Sequence, residues 1–252
     1  MPMERNLKLT IRYDGTRYAG WEHQPTEPMT IQGKLEQVLA RMLDLPEGEI
    51  PDVIGAGRTD AGVHARSMIA NVHCTTDLSE EEILAYLNRY LPDDIGVDKV
   101  QFASPRFHAR YNAVGKLYSY SFWCGPEKPV FDRKYLTVLA EQPDVEAMRA
   151  ASVYLIGTHD FKSFCANPKM KKSTVRTVDS IVITKKGNII RCTFHGNGFL
   201  QNMVRILAGT LLEVGFGRMK PEEVPVIMKA LDRRKAGPTA PPQGLTLVKV
   251  EY

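Results

Sequence analysis

The chain has no run of apolar residues near the about 20 needed to cross a bilayer. Its opening Met-Pro-Met-Glu-Arg-Asn lacks the apolar centre of a signal peptide, so the cytoplasm is the expected compartment. Cysteine is sparse: Cys74, Cys124, Cys165 and Cys192 are scattered, with no CxxC spacing. That excludes a zinc ribbon and gives no basis for a disulfide framework in a reducing compartment. The four are read as small buried hydrophobes. His64, His108 and His159 share no metal-ligand spacing, so no metal is expected. There is no Gly-Lys-Ser/Thr, hence no P-loop, and no low-complexity segment or long linker.

What is present is ordinary globular composition. Hydrophobic residues make up 43% and charged residues 25% of 252, enough for one large domain or two modest ones. The net charge of +4 decides little, so its distribution matters more. From Lys162 to Arg191 there are eight basic residues against one acid, Asp179. From Lys99 to Pro126 there are four basic residues and no acid. Phe107, Tyr111, Tyr118, Tyr120, Phe122, Trp123, Phe161 and Phe164 are interleaved. Basic groups neutralise phosphates and aromatic faces stack on bases, so nucleic-acid binding stands beside a solvated basic face as a reading.

Periodicity outlines the elements. Leu7–Tyr13 alternates as a half-buried strand. Thr30 caps a helix through Met42, and Ser79-Glu-Glu-Glu82 is a capping box opening another. Asp52–Ile54, Met68–Cys74, Ile95–Phe102 and Lys116–Trp123 read as strands. Asp144 caps a helix running to Leu155 and stopped by Gly157. Val175–Thr184 and Asn188–His195 form a hairpin around Lys185-Lys-Gly187. Phe199–Val214 is a strongly apolar helix, Pro221–Leu231 another, and Leu245–Val250 a last strand. Strands joined by helices and hairpins, given twice, predict an α+β chain of two similar domains. Each has a mainly antiparallel sheet flanked by helices, with an active-site cleft between the two. The division is placed at 1–108 and 109–252.

Three segments could carry chemistry. Gly55-Ala-Gly-Arg-Thr-Asp-Ala-Gly-Val-His64 holds three glycines in eight residues, which allow tight turns and close approach to a ligand. A Rossmann fingerprint would need glycine where Asp60 stands, followed by an apolar helix face, and neither is there. A structural loop in which Asp60 caps a turn stays open. Arg205 sits among Leu200, Met203, Val204, Ile206, Leu207 and Leu211. It is either buried beside a carboxylate or extended to the surface. Tyr118 and Tyr120 share one strand face, as core tyrosines or as a stacking surface.

Seven blocks then resolve into a pattern: Tyr13-Asp-Gly-Thr-Arg-Tyr-Ala-Gly-Trp21, Gly55–Ala65, Leu91-Pro-Asp-Asp-Ile95, Phe107-His-Ala-Arg110, Gly157-Thr-His-Asp-Phe161, Gly198-Phe-Leu200 with Met203-Val-Arg205, and Ala240-Pro-Pro-Gln-Gly-Leu245. In this order they resemble the tRNA pseudouridine synthase A family over nearly the whole chain. The resemblance implies the pseudouridine synthase fold and isomerisation of uridine to pseudouridine at positions 38–40 of the tRNA anticodon stem-loop. It implies no cofactor, a tRNA partner and a homodimer. It puts the nucleophile on Asp60, the arginine holding the flipped nucleotide on Arg58, and the base-stacking tyrosine on Tyr118. The partner of the catalytic carboxylate falls on Arg205 and the leucine packing on the base on Leu245. His64 and Arg110, inside shared blocks, are expected to bind substrate. Tyr118 is also a candidate for removing the C5 proton. Two sites depart from the family's commoner residues: Glu22-His23, in place of glutamine and a basic residue, and Gln201, in place of an aromatic or histidine. The rival reading is a non-catalytic RNA-binding protein, for which Asp60 would be dispensable.

Overall fold

The computed structural model describes residues 2–252 and divides into two compact units. The first runs to Ala113 and adds Leu247–Tyr252; the second is Val114–Thr246.

The first unit opens with β1 (Met3–Tyr13), where Leu7, Leu9 and Ile11 alternate into the core. Helix α1 (Ile31–Met42) follows, and the Thr30 hydroxyl accepts from the Gly33 N–H at its start. Its buried stripe of Ile31, Leu35, Val38 and Leu39 keeps the helical spacing seen in the sequence. The strand expected at Asp52–Ile54 is only β2 (Ile54–Gly55), because the glycine-rich turn leaves no room for a longer ladder. Next come β3 (His64–Thr76), α2 (Glu80–Tyr90) and β4 (Ile95–Ala103). The capping box at α2 is formed in both directions: Ser79 accepts from the Glu82 N–H, and Glu82 from the Ser79 N–H. Strand β3 starts four residues earlier than Met68, so His64 belongs to a strand rather than a loop. Strand β1 pairs antiparallel with β3 on one side and β4 on the other.

The second unit begins with β5 (Gly115–Trp123) and the short β6 (Thr137–Val138), which pair in parallel. Helix α3 (Val145–Ser152) is capped by Asp144 and tightens into a 3-10 turn at Val153–Leu155. Then come β7 (Gly157–Asp160), β8 (Val175–Lys186) and β9 (Ile189–Gly196). Strands β5, β9, β8 and β7 lie in that order, each antiparallel to the next. Helix α4 (Met203–Gly215) starts later than the expected Phe199, because Asn202 takes a left-handed conformation with φ +57° just before it. Helix α5 (Glu223–Ala230) and the last strand, β10 (Leu245–Glu251), complete the chain.

Strand β10 lies beside β3, and the Tyr252 hydroxyl donates to the Ala109 carbonyl at 2.7 Å. Residues 247–252 therefore group with the first unit, whereas a division at 108/109 counts them with the second. Both units are mainly antiparallel sheet flanked by helices, the expected α+β class. Cys165 and Cys192 are buried, but Cys74 and Cys124 are half-buried, so the reading as core hydrophobes fits only two of the four. No helix among the described residues is long and apolar enough to cross a membrane.

Phe194, on β9, is fully buried, whereas Ser79 is a partly exposed cap. Phe194→Ala is expected to cost about 3–5 kcal/mol and Ser79→Ala about 1 kcal/mol. Urea midpoints check this; equal shifts would contradict it.

Candidate active site

In the first unit, the segment Tyr13–Glu22 lies directly on the segment Gly55–His64. The Trp21 N–H donates to the Thr59 carbonyl at 3.0 Å, and the Gly62 N–H to the Tyr18 carbonyl at 3.2 Å. The Tyr13 hydroxyl meets Thr59 Oγ1 at 2.8 Å. Two glycines permit this contact. A Cβ on Gly15 would fall 2.0 Å from the Val63 carbonyl oxygen, and one on Gly20 would fall 2.7 Å from the Thr59 oxygen. Gly20 also has φ +110°, a region side chains rarely adopt.

Asp60 sits at the centre of this contact. It opens a turn in which the Val63 N–H donates to the Asp60 carbonyl at 3.1 Å, and its side chain is half-buried. Arg58 is exposed, and its guanidinium pairs with the Glu22 carboxylate. His64 is buried, with 3% of its side chain exposed. The Gly15 N–H donates to its Nδ1 at 3.0 Å, and Asp14 Oδ1 lies 3.2 Å from the same atom.

A third shared block closes the arrangement. Asp94 accepts from the Tyr18 hydroxyl at 2.6 Å and from Arg17 at 3.1 Å, while its carbonyl accepts from the Asp14 N–H at 2.9 Å. Burial first, then the bond to Asp94, pushes the Tyr18 phenol up to about 12, so it remains a donor at neutral pH. Arg110 is exposed on the segment Phe107–Arg110. That segment hangs from a buried asparagine pair. Asn6 donates to the Ser104 and Phe107 carbonyls, both at 2.9 Å. Asn71 donates to Asn6 at 3.0 Å and accepts from the Ala109 N–H at 2.8 Å.

The second unit holds Tyr118, Arg205 and Leu245. Arg205 projects from the first turn of α4 and is half-buried. Its Nε donates to the Ala240 carbonyl and one terminal nitrogen to Asn202 Oδ1, both at 2.7 Å. The Ala240 N–H donates back to the Arg205 carbonyl at 3.1 Å. The guanidinium is thus fixed by protein groups rather than extended into water. Tyr120 donates to the Pro241 carbonyl at 2.7 Å and meets Thr137 Oγ1 at 2.7 Å. Burial pushes its phenol well above the usual range, against the smaller lowering effect of Thr137, and keeps it a donor. Leu245 is buried directly after the loop that these bonds hold. Tyr118, also buried, meets the Phe199 ring edge-on at 5.3 Å between centroids. Among the described residues no cluster of His, Cys, Asp and Glu is suited to a metal ion.

Thr59 and Gly20 lie in shared blocks, but sequence reasoning assigned neither a role, and it passed over Asn202 and the Asn6–Asn71 pair. An asparagine just before an apolar helix was a signal for the left-handed start of α4. Nothing local marked the Asn6–Asn71 pair.

Comparison with known proteins gives the family. A family model described as tRNA pseudouridine synthase matches residues 9–112 and 151–252. This protein belongs to that family. It is similar to tRNA pseudouridine synthase A of Clostridium kluyveri, at 42% identity over 98% of this chain and 100% of that one. It is also similar to tRNA pseudouridine synthase A 2 of Bacillus anthracis, at 40% identity over 98% of this chain and 99% of that one. A further relative, tRNA pseudouridine synthase A of Caldicellulosiruptor bescii, is 42% identical with coverage of 98% and 100%.

A Cβ on Gly20 would meet the Thr59–Asp60 backbone. Gly20→Ala would force that backbone away, and a misplacement of about 1 Å near a site of chemistry can cost on the order of 100-fold in rate. A loss of that order in kcat/KM is expected, measured by tritium release from 5-labelled uridine in tRNA. Full activity in Gly20→Ala would contradict the positioning described.

Proposed function

We propose that the protein isomerises uridine to pseudouridine at positions 38–40 of the tRNA anticodon stem-loop, with Asp60 as the nucleophile. The observation that carries this reading is the clamp on Asp60. A carboxylate on a glycine-rich turn is held through backbone contacts by a second segment, in a chain of this family. Such investment in one backbone position suits a group that must meet a reacting atom.

The reaction breaks the C1′–N1 bond and joins C1′ to C5. The proton on C5 leaves and N1 gains one, so neither a redox partner nor a group donor is required. The target base must first leave its stack, which costs a few kcal/mol. Asp60 acts as the carboxylate nucleophile. Arg205 is the residue assigned as partner to that carboxylate, and its hydrogen bonds to Ala240 and Asn202 give it a defined direction. Arg58 and Arg110, both exposed, take phosphates. Tyr118 and Leu245 bracket the base, and Tyr118 is also the candidate for receiving the C5 proton. His64, being buried, serves the substrate through the Asp14–Gly15 turn that it holds. The basic stretch Lys162–Arg191 is assigned to the tRNA backbone. The protein is further proposed to work as a cytoplasmic homodimer.

Asp60→Asn should lower tritium release from 5-labelled uridine in tRNA by roughly three orders of magnitude or more, with tRNA binding retained. Substantial turnover by that variant would remove Asp60 from the nucleophile's role. Arg205→Lys keeps the charge but loses the planar fork, and a loss of at least about tenfold in kcat is expected. Wild-type kcat in Arg205→Lys would show that only charge, or nothing, is needed there. Mapping pseudouridines in bulk tRNA from a deletion strain tests positions 38–40 directly.

A further inference from the structure

Arg58 stands two residues before Asp60, and its guanidinium is already occupied by Glu22. The pair is not the chance meeting of two mobile surface chains. On one side of Glu22, the Trp21 N–H is tied to the Thr59 carbonyl at 3.0 Å, and the Trp21 carbonyl accepts from the Gln32 N–H at 2.9 Å. On the other side, the His23 N–H donates to Gln32 Oε1 at 2.9 Å. Gln32 donates in turn to Glu36 Oε1 at 2.8 Å, and the buried Glu36 meets His23 Nδ1 at 2.6 Å. Both backbone neighbours of Glu22 are therefore fastened to the Asp60 loop or to α1, which fixes the point from which its side chain reaches Arg58. The side chains remain 61% exposed for Arg58 and 44% for Glu22, so an arriving anion can reach the guanidinium.

A carboxylate and a phosphodiester compete for the same planar set of N–H donors. We propose that Glu22 is a built-in competitor for the RNA phosphate that Arg58 takes, and that it sets substrate affinity. This rests on the roles given above to Asp60 and Arg58. In the free protein the pair is neutral overall, so Arg58 adds nothing to the long-range attraction that draws any RNA. Only a phosphate brought within hydrogen-bond reach, by an RNA already seated, replaces the carboxylate. Binding at this point is an exchange of one anion for another, and the Glu22–Arg58 pair must be given up for it.

Kinetics on an anticodon stem-loop RNA test the proposal, with wild type, Glu22→Gln, Arg58→Ala and the double variant compared. Exposed ion pairs of this kind are weak, so Glu22→Gln should lower KM by roughly two- to fivefold. The change should be larger in KM than in kcat. In the Arg58→Ala background the same substitution should give no such gain, since the two residues form one unit. An unchanged or raised KM in Glu22→Gln would overturn the proposal. An equal fall in the Arg58→Ala background would overturn it too, because Glu22 would then act by general repulsion of RNA. The wild type decides the parent reading separately. If it forms no pseudouridine, that reading fails; if it turns over and Glu22→Gln leaves KM unmoved, only the present proposal fails.

Discussion

Around Asp60 one backbone rests on another with no side chain between them. The Val63 carbonyl occupies the space where a Gly15 side chain would begin, and the Thr59 carbonyl does the same at Gly20. Several other features of the first unit's site go with this contact. It lets the Trp21 and Gly62 N–H groups reach carbonyl oxygens across the two segments, and it brings Tyr13 to Thr59, Gly15 to His64 and Glu22 to Arg58. A loop rich in glycine loses much conformational entropy on ordering. The hydrogen bonds between the segments offset that loss and leave Asp60 on a defined turn rather than on a mobile tip.

The second unit solves a different problem. The segment Gly237–Gly244 contains Pro238, Pro241 and Pro242, which have no N–H to offer a ladder. Several of its polar groups are satisfied from outside. Thr210 accepts the Gly237 N–H, Arg205 exchanges hydrogen bonds with Ala240, and Tyr120 donates to Pro241. The same bonds that hold the loop also orient the Arg205 guanidinium and set where Leu245 begins its strand. Arginine on an apolar helix is thus part of the structural support for a loop as well as a charge, so its replacement affects both.

Charge is used at two ranges. The stretch from Lys162 to Arg191 has eight basic residues against one acid, and charge of this kind attracts polyanions with little discrimination. Close to Asp60 the positive charge is held back: Arg17 is engaged by Asp94, and Arg58 by Glu22.

Local pattern was enough for α1, α2 with its capping box, the β8–β9 hairpin and most long strands. Each rests on interactions within a few residues or on a period that the side chains themselves display. The Asp60 block was legible for a different reason: its residue types are so constrained that they mark a family. The sequence alone did not show that β2 is two residues long, that β6 and β7 exist, that α4 starts at Met203, or that His64 is buried in a strand. Those are decided by partners far along the chain, such as Phe122 for Thr137 and Gly15 for His64. Glu22 shows the division most clearly. Its sequence neighbours identify it only as a departure from a pattern, but 36 residues further on lies the arginine it neutralises. A sequence determines which groups are available and the short-range geometry they prefer; which two of them meet depends on the folded backbone, because hydrogen bonds and ion pairs act over a few ångströms and are indifferent to distance along the chain.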